Sequence, residues 1–248
     1  IGVPALIVEG QETPYDAVLS EDDMVALGAA DIVIWVGKEM ESFLVEPLAQ
    51  LDENTAVLSL LDNRNIKVLP ARTQDDVRDP FFWLDTRNGL ILVSELANTL
   101  IAYDPENTER YRRNAAEMLE KIGALDRKFE YGYRSVKAGK AFLYHDTLQY
   151  FEQAYGTRVV GILTENPGAE PSVQAFLDAR AGIYNPDSGV NCVLTEAGLP
   201  AGNTTILVAG TDINVVELDS LGTRLTAGPE LYLDLVSANF DGIKSCFE

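Results

Sequence analysis

The stretch KAFLYHDTLQYF, residues 140–151, joins an apolar run to a helical pattern. Its first half has the continuous apolar character of a strand buried in a parallel sheet. His145, the single histidine of the chain, ends that run, and Asp146 follows it. A histidine beside a carboxylate at a strand end suits catalysis or metal binding, and both normally require further partners. The rest of the sequence must therefore supply the groups that would work with His145.

Strand and helix patterns alternate on both sides of this stretch, which indicates α/β layers with mostly parallel sheets. Before it, strands are predicted at PALIV (4–8), DIVIWVG (31–37) and NIKVLP (65–70), and helices at SEDDMVALGAA (20–30) and KEMESFLVEPLAQL (38–51). After it, strands are predicted at RVVGIL (158–163), VNCVLTE (190–196) and INVVELD (213–219). Helices are predicted at TLQYFEQAYG (147–156), from about Ser172, and at ELYLDLVSANFDGI (230–243).

A helical pattern of about thirty residues separates the two alternating sets, with Asp104 as the predicted N-cap and Pro105 in the first turn. Few helices of globular proteins are so long. The sequence therefore predicts an N-terminal α/β lobe (1–103), a connecting helix (104–136) and a C-terminal α/β lobe (137–248).

The charge balance excludes some partners. Against 39 acidic side chains there are 19 basic ones, a formal net charge of −20. Such a field repels phosphate, so binding to nucleic acid or to an anionic membrane is not expected. No apolar run approaches the roughly 18 residues that a membrane-spanning helix needs.

The two cysteines, Cys192 and Cys246, lie far apart and outside any CxxC pair, which excludes a zinc knuckle or a thioredoxin-like motif. From these residues alone, one disulfide in a secreted chain and two buried thiols in a cytosolic chain both stay open.

An enzyme is disfavoured. His145 and Asp146 are sequence neighbours, and neighbours cannot act as a base and its orienting group unless the backbone turns. A GxSxG nucleophile elbow and the glycine-rich phosphate loops are missing from the sequence.

Four phrases in order carry a family resemblance: ADIVIWVGKEMESFL (30–44), DPFFWLDT (79–86), FLYHDTLQYFEQAYG (142–156) and ELDSLGT (217–223). Together they resemble the ZnuA/TroA-type solute-binding proteins of zinc and manganese ABC transporters, over essentially the whole chain. The resemblance implies two α/β lobes tied by one rigid helix, with the ligand held in the cleft between them. It also implies that the family's first strand and helix would precede Ile1.

The same resemblance assigns the cleft residues. The family's third metal histidine corresponds to His145 and its carboxylate to Asp219, while the first and second histidines correspond to Tyr15 and Phe81. The metal set that remains is His145 and Asp219, with the Tyr15 phenol as a possible third member. Zinc prefers four ligands, and a phenol ionises only near pH 10, so this set is poor for zinc and better suited to ferric iron.

The resemblance further implies a disulfide between Cys192 and Cys246 and an extracytoplasmic, periplasmic address, with any signal segment outside this sequence. The expected function is that of a monomeric solute-binding protein of an ABC importer, which delivers a metal, such as zinc, or a chelated metal to a membrane permease. Two alternatives stay open: a diverged member that binds a small organic solute, and a surface adhesin built on the same fold.

Overall fold

The computed structural model describes residues 3–8, 13–135, 139–197 and 204–248. The chain divides into two compact units, Ile1–Phe82 and Trp83–Glu248. The long helix predicted from residue 104 belongs to the second unit.

The first unit contains a short parallel pair of strands and one capped helix. Helix α1 (Glu21–Gly28) has Ser20 as its N-cap. The Ser20 hydroxyl accepts from the Asp23 backbone N–H and the Asp23 carboxylate accepts from the Ser20 backbone N–H, which together form a capping box. Strands β1 (Ile32–Trp35) and β2 (Ala56–Ser59) pair in parallel. Leu27, Val33 and Leu44 form a small core between them and α1.

The rest of the first unit is less regular than predicted. Residues 38–51 form a 3-10 turn (Ser42–Leu44) followed by the single turn of α2 (Val45–Leu48). Residues 4–8 belong to no strand, and only Pro70 of the predicted strand 65–70 enters one, β3 (Pro70–Ala71), which pairs antiparallel with β4 (Gln74–Arg78). Ile66 and Leu69 are buried from a loop, so their apolar spacing reflects anchoring of that loop.

Two helices open the second unit. Helix α3 (Thr86–Tyr103), which the sequence pattern did not single out, is capped by the Asp85 carboxylate, which accepts from the Arg87 N–H at 3.0 Å. The long helix predicted from residue 104 is observed as α4 (Thr108–Gly132), 25 residues long. Pro105–Asn107 form a 3-10 turn before it, so the helix begins later than predicted.

The core of the second unit is a four-stranded parallel sheet in the order β6-β5-β7-β8. The strands are β5 (Lys140–His145), β6 (Arg158–Thr164), β7 (Cys192–Glu196) and β8 (Asn214–Leu218). The helices that accompany them are α5 (Gln149–Tyr155), α6 (Val173–Tyr184), α7 (Thr204–Val208) and α8 (Leu231–Cys246). All four predicted strands and the three predicted helices of this region are confirmed.

The disulfide is formed. Cys192 at the start of β7 is bonded to Cys246 at the end of α8; their Cα atoms are 5.5 Å apart, and the two cysteines are 54 positions apart in sequence. Both cysteines are fully buried. Along the described parts of the chain, no helix is both long and apolar enough to span a membrane.

Candidate functional site

Polar side chains meet at the carboxyl edge of the second unit's sheet. Thr164, His145 and Glu196 are the last residues of β6, β5 and β7, and Asp219 directly follows β8. Because the four strands are parallel, these strand ends share one edge, where ligands of α/β proteins usually bind. His145 and Asp219 are therefore on the same edge, separated by β7.

The His145 ring is held by one of its two nitrogens. Nδ1 lies 2.6 Å from the Thr164 hydroxyl and 3.2 Å from the Asn166 carbonyl oxygen. The Asn166 carbonyl oxygen can only accept, so its contact with the ring favours the tautomer that carries the proton on Nδ1. In this tautomer the Nε2 lone pair remains for a ligand.

Burial keeps this ring neutral. Only 6% of the His145 surface is exposed, and burial lowers the pKa of the imidazole to about 4, although the hydrogen bond to Asn166 acts in the opposite direction. At neutral pH His145 thus presents an uncharged nitrogen, the form in which histidine binds a metal.

Asp219 is committed largely to its own loop. Its Oδ1 accepts from the Thr223 N–H at 2.8 Å and from the Thr223 hydroxyl at 3.2 Å, and its Oδ2 accepts from the Arg224 N–H at 2.9 Å. A carboxylate has about four acceptor positions. Three of them are occupied here, so Asp219 can offer one further position to a ligand.

Glu196 is a functional candidate that sequence reasoning missed. Its side chain is 4% exposed and accepts hydrogen bonds from the Thr147 hydroxyl (2.6 Å), the Ser220 hydroxyl (2.8 Å) and the Ser220 N–H (3.0 Å). Burial raises the pKa of its carboxyl, the more so with Asp219 nearby, while these hydrogen bonds lower it. The available signal was an acidic residue at the end of the apolar strand VNCVLTE.

Two further side chains hold the backbone around Asp219. The Asn239 amide accepts from the Asp219 N–H and donates to the Asp219 carbonyl oxygen, both at 2.9 Å. The Trp83 indole N–H donates to the Ser220 carbonyl oxygen at 2.9 Å. Glu196 accepts from the Ser220 N–H, so every backbone N–H and C=O group of Asp219 and Ser220 is hydrogen-bonded to a side chain.

Tyr15 lies in the first unit, in a turn at residues 14–16. Its hydroxyl is buried and, among the described residues, has no hydrogen-bond partner. Burial raises the pKa of the phenol far above its usual value, and the negative charges of Asp79 and Glu41 raise it further. Without a bound metal, Tyr15 is therefore a neutral phenol at pH 7.

Phe81, also in the first unit, is 1% exposed, and its backbone N–H donates to the Asp79 carboxylate at 2.9 Å. Its ring has no atom that can bind a metal. Across residues 3–8, 13–135, 139–197 and 204–248, no three His, Cys, Asp or Glu side chains lie close enough together to hold a metal ion. Of the predicted ligands, the second unit provides the imidazole nitrogen of His145 and the carboxylate of Asp219.

The chain is similar to known proteins over almost its whole length. The family model described as zinc-uptake complex component A, periplasmic, matches residues 1–246. The high-affinity zinc uptake system protein ZnuA of Brucella abortus is 28% identical over 287 aligned positions, which cover 99% of this chain and 85% of that protein.

Solved structures share the fold. The periplasmic zinc-binding protein TroA of Treponema pallidum superimposes with a TM-score of 0.82 at 20% identity, covering 95% of this chain and 87% of that one. The laminin-binding protein Lmb of Streptococcus agalactiae, described as having adhesin and metal-transporting activity, also gives 0.82, at 17% identity, covering 97% of this chain and 89% of that one. These likenesses confirm the predicted α/β fold class of the TroA type.

Proposed function

Because the chain belongs to the family of periplasmic zinc-uptake component A proteins, we propose that it is the extracytoplasmic solute-binding protein of an ABC importer. In this role it binds its solute outside the cytoplasm and delivers it to a membrane permease. Zinc, manganese and a chelated metal are the solutes to be distinguished. The proposal includes no catalytic step and treats the protein as a monomer.

The observation that carries the proposal is the orientation of His145. Its Nδ1–H is used by Thr164 and Asn166, which leaves Nε2 as the free ligand atom at the carboxyl edge of the sheet. In a metal-binding histidine, the ring nitrogen that does not bind the metal normally donates its N–H to a protein oxygen in this way. The single histidine of the chain therefore has the hydrogen-bonding pattern of a metal ligand.

The number of ligand groups available besides His145 indicates the preferred solute. Asp219 has one acceptor position left. By the family resemblance, Tyr15 and Phe81 take the places of two metal-binding histidines, so we infer that His145 and Asp219 alone do not give a bare zinc ion the four ligands it prefers. An organic chelator that already fills part of the coordination sphere would need only the imidazole and the carboxylate. We therefore propose a chelated metal as the preferred solute and expect bare zinc to bind weakly.

Metal analysis of untagged protein purified without chelators, followed by calorimetry with free zinc, manganese and ferric iron, tests this proposal. We expect at most about micromolar affinity for each free ion, equivalent to roughly −8 kcal/mol. His145→Ala should abolish the remaining zinc binding. Nanomolar binding of bare zinc that His145→Ala removes would contradict the chelated-metal proposal, because additional protein ligands would then be required.

A second candidate function is adhesion, which the fold shared with the laminin-binding protein supports. An adhesin would bind its macromolecular partner whether or not a small solute is present. Binding to immobilised laminin that is unaffected by His145→Ala, together with no metal or chelate binding, would favour this function over transport.

A further inference from the structure

Glu196 lies between the two loops that carry the proposed ligand groups. It ends β7, which is paired with β5 on one side and β8 on the other. Thr147 follows His145 by two residues, and Ser220 follows Asp219 directly. The Glu196 carboxylate binds both, through Thr147 Oγ1 at 2.6 Å and through Ser220 Oγ and N at 2.8 Å and 3.0 Å.

We propose that Glu196 is a positioning residue that sets the placement of His145 relative to Asp219 by bridging their two loops across β7. This inference rests on the proposed function, since it takes His145 and Asp219 as the groups that contact the solute. Glu196 itself contacts no solute and acts through Thr147 and Ser220.

The hydrogen bonds that join Glu196 to Thr147 and Ser220 form a buried bridge, so a substitution that breaks the bridge must move the two loops. Thr147, Ser220 and Glu196 are 1%, 0% and 4% exposed, and the Ser220 hydroxyl also lies 3.1 Å from the Thr147 hydroxyl. The turn after β5 is fixed by the Thr147 N–H, which donates to the His145 carbonyl oxygen at 3.0 Å. Because these groups are so deeply buried, a donor left without the carboxylate loses its partner at a cost in free energy.

The chemistry of the three donors predicts how substitutions differ. In Glu196→Gln, the amide oxygen can accept from the Ser220 N–H while the amide nitrogen donates to both hydroxyls, so the bridge is kept. In Glu196→Leu, a side chain of similar size fills the space but leaves the Ser220 N–H without its acceptor and the two hydroxyls with only each other as partners. Thr157→Val is the matched control, because it removes another buried hydroxyl, bonded to Tyr133 at 2.8 Å, from the amino end of the same sheet.

The single histidine makes the readout unambiguous. In untagged protein labelled with 15N, the imidazole gives one set of two-bond 1H–15N signals, and at pH 7 the wild type should show the Nδ1–H tautomer. We expect Glu196→Leu to show a mixture of tautomers, and zinc ion alone, titrated against the same signals, to bind about tenfold or more weakly than to wild type. Glu196→Gln and Thr157→Val should follow the wild type in both readouts.

The proposal is overturned if Glu196→Leu, folded by circular dichroism, keeps the wild-type tautomer and zinc affinity. Should that variant not fold, the Thr147→Val, Ser220→Ala double variant removes the same hydroxyl bonds and must give the same mixed signals for the proposal to stand. His145→Ala separates the two claims. If His145→Ala leaves zinc binding unchanged, the proposed function fails. The tautomers of His145 in ligand-free Glu196→Leu still test whether Glu196 positions His145.

Discussion

At the scale of single residues, the burial of His145 predicts a dependence of stability on pH. The imidazole pKa is about 4 in the folded protein, against about 6.5 in the unfolded chain. The contribution of the neutral His145 ring to the free energy of unfolding is therefore complete above pH 6.5. It is lost as the pH falls through 6.5 towards 4, because the histidine of the unfolded chain takes up a proton first. Between pH 7 and pH 5 the loss should be about 2 kcal/mol, measured as the free energy of unfolding in urea.

His145→Asn is the control for that measurement, because its amide keeps a donor near the position of Nδ1 and does not titrate. The difference in unfolding free energy between wild type and variant should narrow by the same amount as the pH falls from 7 to 5. A difference that stays constant over this range would mean that His145 titrates normally in the folded protein.

At the scale of helices, the contact between α3 and α8 depends on Gly89. A Cβ atom at this position would overlap the Tyr232 hydroxyl, which donates to the Trp83 carbonyl oxygen at 2.9 Å. Gly89→Ala must displace Tyr232 and with it the start of α8. We expect a loss of about 1–3 kcal/mol in the free energy of unfolding, as for other overpacked sites, measured by chemical denaturation.

Gly182→Ala on α6 is the matched substitution, since an added Cβ there would meet no atom within 4 Å. Alanine is the better helix former, so this variant should be more stable than wild type by about 0.5–1 kcal/mol. Equal effects of the two substitutions would show that helix propensity, and not the contact with Tyr232, controls stability at Gly89.

At the scale of the whole molecule, the Cys192–Cys246 disulfide closes a loop that contains two of the four strands of the second unit's sheet, β7 and β8. Closing a loop of 54 residues restricts the unfolded chain, and in the chain-entropy treatment this stabilises the folded state by about 4 kcal/mol. The Cys192→Ala, Cys246→Ala double variant should lose about that much unfolding free energy. Thiol titration of the denatured wild type without reductant should detect no free thiol, and two free thiols would contradict the bond.

The alternating pattern of the second unit was readable from the sequence because its central strands, β5 and β7, are buried along almost their whole length. The apolar runs around His145 and Cys192 correspond to β5 and β7, and the glycine after Tyr155 ends α5 in a left-handed conformation, with φ 82°. In the first unit the same reasoning misassigned residues 65–70, since Ile66 and Leu69 are buried from a loop and local spacing cannot tell the two apart.

The sequence by itself determined the α/β class, because strand burial is a local property of the chain, and the family, because the order of the motifs is read along the chain. Through that resemblance it also implied the pairing of the two cysteines and His145 and Asp219 as candidate ligands. Only the tertiary structure decided which groups hold the His145 ring and that Glu196 joins the loops of His145 and Asp219. Those properties depend on hydrogen bonds between residues 19, 24 and 49 positions apart, which form only when β5, β6, β7 and β8 lie side by side.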